Sequence, residues 1–227
     1  HLIPGLEPKG VPRVLTNTAL PFRYNTIAEL EKIVAENKDI GVIVVEPSRH
    51  QPPKDSFLQN VRKIADTIGA VLIFDEITVA WKSNVGGVHL VYGVSPDIVV
   101  YAKAIANGYP MAAILGKREV MQKAQETFVT STFWTEKIGP VAALATVAKM
   151  KKYNVPAHLK NIGRRIQAGW KSLAIKHGLK IIVGEGTEVM PEFTFDYGDQ
   201  KQAIRTLYTQ TMLDKGFLDV ACVYVSY

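Results

Sequence analysis

Ionisable side chains follow three runs of apolar residues that have the length of strands. The runs and the side chains that follow them are residues 41–45 with Glu46, residues 71–74 with Asp75 and Glu76, and residues 98–101 with Lys103. Runs that are apolar over nearly their whole length are typical of a parallel sheet covered on both faces. Because the carboxyl ends of parallel strands meet at one edge, we expect these side chains to converge there.

Asp75 and Lys103 have simple interpretations when each is taken alone. Asp75 could cap the next loop or form a structural ion pair with Lys103, and a lysine at a strand end is usually solvated. Together the two residues indicate a more specific chemistry. A lysine that acts as a Schiff-base nucleophile needs a lowered pKa. A pyridine ring that acts as an electron sink needs a protonated nitrogen, which a buried carboxylate favours. The pair therefore suits a flat pyridine cofactor that lies across the strand ends.

Three stretches of sequence carry a resemblance to a known enzyme family. They are residues 72–77 (LIFDEI), residues 96–110 (PDIVVYAKAIANGYP) and residues 131–134 (STFW). With the spacing from Asp75 to Lys103, they resemble the class III aminotransferases that depend on pyridoxal 5'-phosphate (PLP), most closely the glutamate-1-semialdehyde aminomutase-like branch. The resemblance runs over essentially the whole chain, and the segment around the lysine is its most specific part.

The resemblance implies an enzyme, an aminotransferase or aminomutase, that moves an amino group between a small-molecule donor and a carbonyl acceptor. Lys103 would hold PLP as a Schiff base and move the substrate proton, Asp75 would pair with the pyridinium nitrogen, and Ile77 would pack on one face of the ring. Ser131 and Thr132 would bind the PLP phosphate of the neighbouring subunit in a homodimer with shared active sites. Asp75 and Lys103 are thus the expected catalytic pair.

The sequence also departs from the family at several places. Ser131 replaces the usual glycine of the phosphate turn, and Trp81 and Lys82 stand where the family has an aromatic residue followed by arginine. Glu46 and Pro47 match a Glu-Pro pair for which a structural and a functional role are equally open. The family's Gly/Ser-rich phosphate cradle and the end of its small domain are expected beyond the two ends of the chain. The alternative is therefore a truncated or inactive aminotransferase-like fragment that binds its cofactor weakly.

The pattern of elements predicts the α/β fold of the aspartate aminotransferase type. Residues 1–139 would form part of the PLP-binding large domain, with a mostly parallel sheet, and residues 140–227 an incomplete, smaller α+β domain. The predicted helices are residues 26–37, with Thr26 and Glu29 as a capping box, 56–68, 140–153, 156–177 and 201–215. The predicted strands are residues 41–45, 71–74, 98–101, 111–115, 180–183, 190–195 and 217–225.

Composition argues against several other classes of protein. The net charge of +6 is spread over scattered basic residues, which does not indicate nucleic-acid binding. No apolar run reaches the roughly 18–20 residues of a membrane span, and no signal peptide is evident. The five histidines lack metal-ligand spacing, and no glycine-rich loop for a nucleotide follows a strand. The single cysteine, Cys222, is expected to be a core residue and favours a cytoplasmic location.

Overall fold

The structure is a computed structural model that describes Glu7 and residues 9–227; the first six residues and Pro8 of the predicted large domain lie outside it. The helices are α1 (Ile27–Glu36), α2 (Phe57–Ile68), α3 (His89–Tyr92), α4 (Arg118–Met121), α5 (Ile138–Tyr153), α6 (Val155–His177) and α7 (Lys201–Asp214). The strands are β1 (Val42–Val45), β2 (Val71–Asp75), β3 (Ile98–Tyr101), β4 (Ala113–Gly116), β5 (Ile181–Val183) and β6 (Phe193–Phe195).

The larger sheet has the order β1-β2-β3-β4. Its first three strands are parallel, while β4 runs antiparallel to β3, with Tyr101 opposite Ala113. The mostly parallel α/β sheet is therefore confirmed. The register places the ends of the parallel strands side by side, because Val45 pairs with Phe74 and Asp75 pairs with Val100.

One face of this sheet is packed against helices α1 and α2. Alternate residues of the three parallel strands point into this core, as a period of two requires, and the helices contribute apolar residues at helical spacing. The core residues from these elements are Ile43, Val45, Leu72, Phe74, Val99 and Tyr101 of the sheet with Leu30, Leu58, Val61 and Ala65 of the helices.

The opposite face of the sheet is only partly covered in the described part of the chain: Ile73 and Val100 of the central strands are half-buried, and the edge strands are exposed. Val42 and Val44 of β1 are 50% and 57% exposed, and Ile114 of β4 is 57% exposed. The prediction that both faces of the sheet are covered is therefore wrong for these residues. Their apolar side chains do belong to strands, as predicted, but none of the described helices packs over them. Asp75 lies on this open face, since it is in register with Val100 rather than with the buried positions.

The C-terminal part combines helices α5, α6 and α7 with the antiparallel pair β5–β6. Val183, Phe193 and Phe195 form its small core. A further hydrophobic cluster connects the segment after β2 to the C-terminal part. In it, Val79 and Val88 pack among residues such as Met150 and Leu159. None of the described helices is both long and apolar enough to cross a membrane.

The predicted strand over residues 217–225 does not form. Only one bridge is present, between Glu192 and Cys222. Asp219 explains the interruption, because its carboxylate accepts a hydrogen bond from the Ala221 amide and Ala221 takes a positive φ of 67°. A left-handed residue turns the chain out of an extended path.

The predicted capping box at the start of α1 is also wrong, although the helix itself is confirmed. The Glu29 carboxylate accepts hydrogen bonds from the Arg23 amide at 2.7 Å and from its guanidinium, rather than from the Thr26 amide. The Thr26 side chain makes no capping hydrogen bond. A nearby arginine offers the carboxylate a charged partner, which is the stronger interaction.

Candidate active site

The carboxylate of Asp75 is fixed in orientation at the end of β2. Its Oδ1 accepts a hydrogen bond from the Ile77 amide at 3.0 Å, the short loop contact that an aspartate makes with the backbone two residues on. The side chain is half-buried on the open face of the sheet. Ile77, also half-buried, follows it directly. This arrangement leaves Oδ2 for a donor that approaches from the open side.

Lys103 lies just after β3, and its backbone is in the left-handed region with a φ of 51°. Its ammonium group donates a hydrogen bond to Thr78 Oγ1 at 2.8 Å. The structural ion pair with Asp75 is therefore not formed: the lysine is held by a neutral hydroxyl. A threonine hydroxyl can accept from an ammonium group or donate to a neutral amine, so this contact suits a lysine that changes its protonation state.

Thr78 is shared between Lys103 and a second lysine. The Thr78 backbone carbonyl accepts a hydrogen bond from the ammonium group of Lys82, whose side chain is buried. Burial, together with the nearby charges of Lys103 and Arg49, lowers the pKa of Lys82 to about 8. Two amines thus flank one threonine at this edge of the sheet.

Glu76 points away from Asp75, and its contacts indicate a structural role. Its side chain is completely buried, and its carboxylate accepts hydrogen bonds from the amides of Val88 and His89. His89 Nδ1 lies 2.6 Å from Glu76 Oε1. Burial and the nearby Glu76 raise the pKa of Tyr101 to about 12. Glu76 therefore fixes the segment at Val88 and His89, because a carboxylate that accepts several backbone hydrogen bonds binds its donors strongly.

Glu46 and Pro47 follow strand β1, and the two residues have different roles. Pro47 is fully buried, and its carbonyl accepts a hydrogen bond from the Tyr24 hydroxyl at 2.6 Å. Glu46 is half-buried and forms an ion pair with Arg49 at 3.2 Å. The Nε of Arg49 is buried without a hydrogen-bond partner among the described residues. Pro47 thus anchors the loop, whereas Glu46 and Arg49 line the edge that carries Lys103.

Asp97 holds the strand that leads to Lys103. It accepts hydrogen bonds from Arg62 at 2.8 Å and from the Leu72 amide at 2.7 Å, and it pairs with Lys117 at 2.7 Å. Burial alone would raise the pKa of Asp97, but the contacts with Lys117, Leu72 and Arg62 outweigh it and lower the pKa to about 2. One carboxylate therefore ties together α2, β2, β3 and the start of α4.

Two adjoining hollows open at this edge. One, of about 480 Å³, is lined by Lys103 and residues 104 and 107–111. The other, of about 400 Å³, is lined by Lys82 and Trp81 and by parts of α5 and α6. Both are bordered by Ala104, Asn107 and Tyr109, so the hollow that Lys82 lines adjoins the one that Lys103 lines.

The structure does not bring Ser131 and Thr132 to Lys103. Both residues are exposed near the turn at residues 132–135 that precedes α5. Cys222 is half-buried, and burial, with Glu192 and Asp219 nearby, raises the pKa of its thiol. Within the described residues no group of three or more histidine, cysteine or carboxylate side chains could hold a metal ion.

Sequence reasoning missed two residues of this edge, Thr78 and Arg49. Thr78 follows Asp75 by three residues, and only the path of the turn shows that its hydroxyl meets Lys103. Arg49 follows the Glu-Pro pair by two residues, and its charge in a proline-containing loop is the one feature of the sequence that indicates a role. Lys82 departs from the family pattern, but nothing in the sequence indicates that it shares Thr78 with Lys103.

Comparisons with known proteins agree on one family. The model described as aminotransferase class III matches residues 10–222. The chain is 32% identical to a 3-aminobutyryl-CoA aminotransferase of Cloacimonas acidaminovorans over 220 residues, which are 92% of this chain and 53% of that protein. It is also 32% identical to a glutamate-1-semialdehyde 2,1-aminomutase of Clostridium tetani over 221 residues, covering 91% and 52% of the two chains.

Solved structures show the same fold. The FumI protein of Sphingopyxis sp. MTA144, solved in a PLP form, superposes with a TM-score of 0.80 at 26% identity, over 91% of this chain and 50% of that one. An omega-transaminase of Sphaerobacter thermophilus superposes with a TM-score of 0.84 at 23% identity, over 96% and 55%. The chain spans about half the length of the curated relatives it matches.

Proposed function

Because the chain belongs to the class III aminotransferases, we propose that it is part of a PLP enzyme that transfers an amino group between an amino acid-like donor and a carbonyl acceptor, as an aminotransferase or an aminomutase. The observation that carries the proposal is the placement of Asp75 and Lys103 at the ends of two paired strands, facing open space. Since the chain covers half of its relatives, the activity, substrates and partners of the whole protein are part of the proposal.

The residues present fit the ring of the cofactor. When bound, PLP supplies a conjugated ring that withdraws electrons from the substrate carbon. The Asp75 carboxylate, held by the Ile77 amide, would keep a proton on the ring nitrogen. Ile77 would pack against one ring face. Lys103 would bind the cofactor through Nζ and move a proton at the substrate carbon, while Thr78 orients that amine.

The phosphate end of the cofactor has fewer described contacts. We propose that Ser131 and Thr132 bind the phosphate of a neighbouring subunit, which accords with their exposure in one subunit and requires a homodimer with shared active sites. We also propose that residues 1–139 belong to the large domain and 140–227 to the small one, since the larger sheet lies in the former and the β5–β6 pair in the latter. The single cysteine supports a cytoplasmic location.

A second candidate function is an aminotransferase-like chain without activity that binds PLP weakly. The open apolar face of the sheet favours it, because a site on an uncovered face is exposed to water. Titration of the 227-residue chain with PLP, followed by absorbance and size-exclusion chromatography, separates the two. Stoichiometric binding by a dimer supports the enzyme, and weak binding by a monomer supports the inactive chain.

The direct test is chemical attachment of PLP. The chain is incubated with PLP, reduced with borohydride and digested, and the modified peptide is identified by mass spectrometry. We expect the adduct on Lys103, its loss in Lys103→Ala, and PLP affinity about tenfold weaker in Asp75→Asn. Lys63→Ala, which removes an exposed lysine of α2, is the matched control and should label like the unmodified chain. An adduct that persists in Lys103→Ala would overturn the proposal.

A further inference from the structure

Acidic residues are absent from one long segment of the chain, although basic residues are frequent in it. Residues 137–184 contain ten lysines and arginines and no aspartate or glutamate, whereas the rest of the chain contains 17 basic and 21 acidic residues. The positive net charge of the chain therefore arises from this segment alone. The segment forms helices α5 and α6 and strand β5.

Five of these ten cations lie on helix α6, and we call them the basic surface. They are Lys160, Arg164, Arg165, Lys171 and Lys176; Lys160 is half-buried and the other four are exposed. Arg164 contacts the Glu188 carboxylate at 3.8 Å, and the other four form no ion pair across Glu7 and residues 9–227. Unpaired cations that lie close together create a positive potential, which attracts anions.

The basic surface consists of two rows along the solvent side of α6. Lys160, Arg164 and Lys171 are separated by four and seven residues, which places them above one another along the helix. Arg165 and Lys176 are eleven residues apart, close to three helical turns, and form the second row. From Lys160 to Lys176 the helix rises about 24 Å. The positive charge is therefore extended along the helix and not concentrated at one point.

The strip between the two rows has no large side chain that could anchor a protein or a membrane. The large apolar side chains that α6 exposes, Leu173 and Ile175, lie in its last two turns. Protein interfaces are centred on buried aromatic or apolar anchors, and membrane-surface helices need a broad apolar face. A nucleic-acid backbone requires only positive charge. The exposed residues between the rows are Ala157, Asn161, Ala168 and Ser172.

We propose that the basic surface binds the phosphate backbone of a nucleic acid. A duplex carries one negative charge per about 1.7 Å of its axis, so it offers about 14 charges along the 24 Å that the two rows span. The inference goes beyond the proposed function, because neither Asp75 nor Lys103 belongs to the basic surface. It also departs from the prediction, made from composition, that the chain does not bind nucleic acid.

Fluorescence anisotropy of the 227-residue chain with a labelled mixed-sequence DNA duplex of about 20 base pairs tests the inference. We expect a Kd of about 1–100 μM at physiological salt, and a slope of about −4 to −5 for the logarithm of the binding constant against the logarithm of salt concentration. Arg164→Glu combined with Lys171→Glu should weaken binding by about tenfold or more and make the slope shallower by about two. A parallel titration with single-stranded RNA of the same length shows which form of backbone binds more tightly.

Arg205→Glu combined with Lys201→Glu is the matched control. It reverses one arginine and one lysine that are exposed on α7, outside the basic surface. Because it changes the net charge by the same amount, any larger loss in the α6 variant reports the position of the charges. We expect the control to weaken binding less than about threefold. Arg164→Gln combined with Lys171→Gln provides a second variant if the glutamate variant fails to fold.

Three results would overturn the inference. The first is no binding of either nucleic acid by the unmodified chain at about 50 mM salt, and the second is an equal loss of affinity in the α6 and α7 variants. The third is tighter binding of polyglutamate, or of vesicles that contain phosphatidylserine, at equal concentration of negative charge, which would assign the basic surface to an acidic protein or to a membrane. The borohydride adduct on Lys103 should be unchanged in the α6 variant, so this test is independent of the proposed function.

Discussion

Replacement of Asp97 by asparagine tests the support beneath the Lys103 strand. Asp97 is 7% exposed and accepts hydrogen bonds from Arg62 and from the Leu72 amide, while Lys117 pairs with its other oxygen. Asp97→Asn keeps the shape of the side chain but removes its charge, and it places an amide N–H₂ group against donors. We expect the substitution to destabilise the folded chain.

The magnitude follows from the pKa of Asp97. The folded value of about 2 lies below the ordinary 3.8, so the ionised carboxylate stabilises the fold at neutral pH. A difference of nearly two units corresponds to about 2 kcal/mol. The donors left without a charged acceptor increase the cost, so we expect a loss of about 2–4 kcal/mol in the free energy of unfolding at pH 7.

The pH dependence has a defined sign. Because the folded pKa is the lower one, the contribution of Asp97 is complete above about pH 4 and is lost as the pH falls toward 2. From these values, the gap between the unmodified chain and Asp97→Asn should shrink by about 1 kcal/mol between pH 7 and pH 3. Urea unfolding followed by circular dichroism at several pH values measures this gap.

Asp66→Asn is the matched control, because Asp66 also pairs with Arg62, at 2.6 Å, but is largely exposed. An exposed ion pair of this kind contributes little, so its loss should cost less than about 0.5 kcal/mol. The reasoning is refuted if Asp97→Asn is no more destabilising than Asp66→Asn. It is also refuted if the gap for Asp97→Asn does not change with pH.

Three further substitutions test the surroundings of the site. Glu76→Gln should lower the free energy of unfolding by about 2–4 kcal/mol, measured in urea, since the fully buried carboxylate accepts several hydrogen bonds; a change below 1 kcal/mol would contradict it. Lys82→Met should stabilise the chain by about 1–3 kcal/mol at pH 7. The folded pKa of Lys82, about 8, lies below the ordinary 10.5, so the advantage of Lys82→Met should fade from pH 8 to pH 10.5, and a pH-independent effect would refute the assignment. Gly87→Ala should lower the melting temperature, because the added Cβ would lie 2.4 Å from His89 Nδ1, whereas Gly41→Ala, with open space around it, should not.

The elements that position the site could be predicted because their sequences are locally unambiguous. Strand β3 was predicted to the residue and β2 to within one, since apolar runs end at charged side chains. Helices α2 and α6 end at Gly69 and Gly178, both with positive φ, which the glycines indicated in advance.

The features that failed depend on particular side-chain hydrogen bonds that the pattern of residue types does not decide. The extended end at residues 217–225 has the composition of a strand, but the bond from the Ala221 amide to Asp219 turns it away. Glu29 bonds with Arg23 rather than with the helix start, a choice that spacing alone does not decide. Thr78 and Lys103 are 25 residues apart in sequence, and they meet because β2 and β3 are neighbours in the sheet.

The left-handed backbone at Lys103 also bears on the history of such chains. A residue with a side chain at a φ of 51° costs about 1–2 kcal/mol, and glycine or asparagine carries a smaller cost. Selection for stability alone would therefore replace Lys103 with one of these two residues. A related chain that no longer catalyses amino-group chemistry would be free to make this exchange. The residue at position 103 would therefore distinguish active relatives from inactive ones.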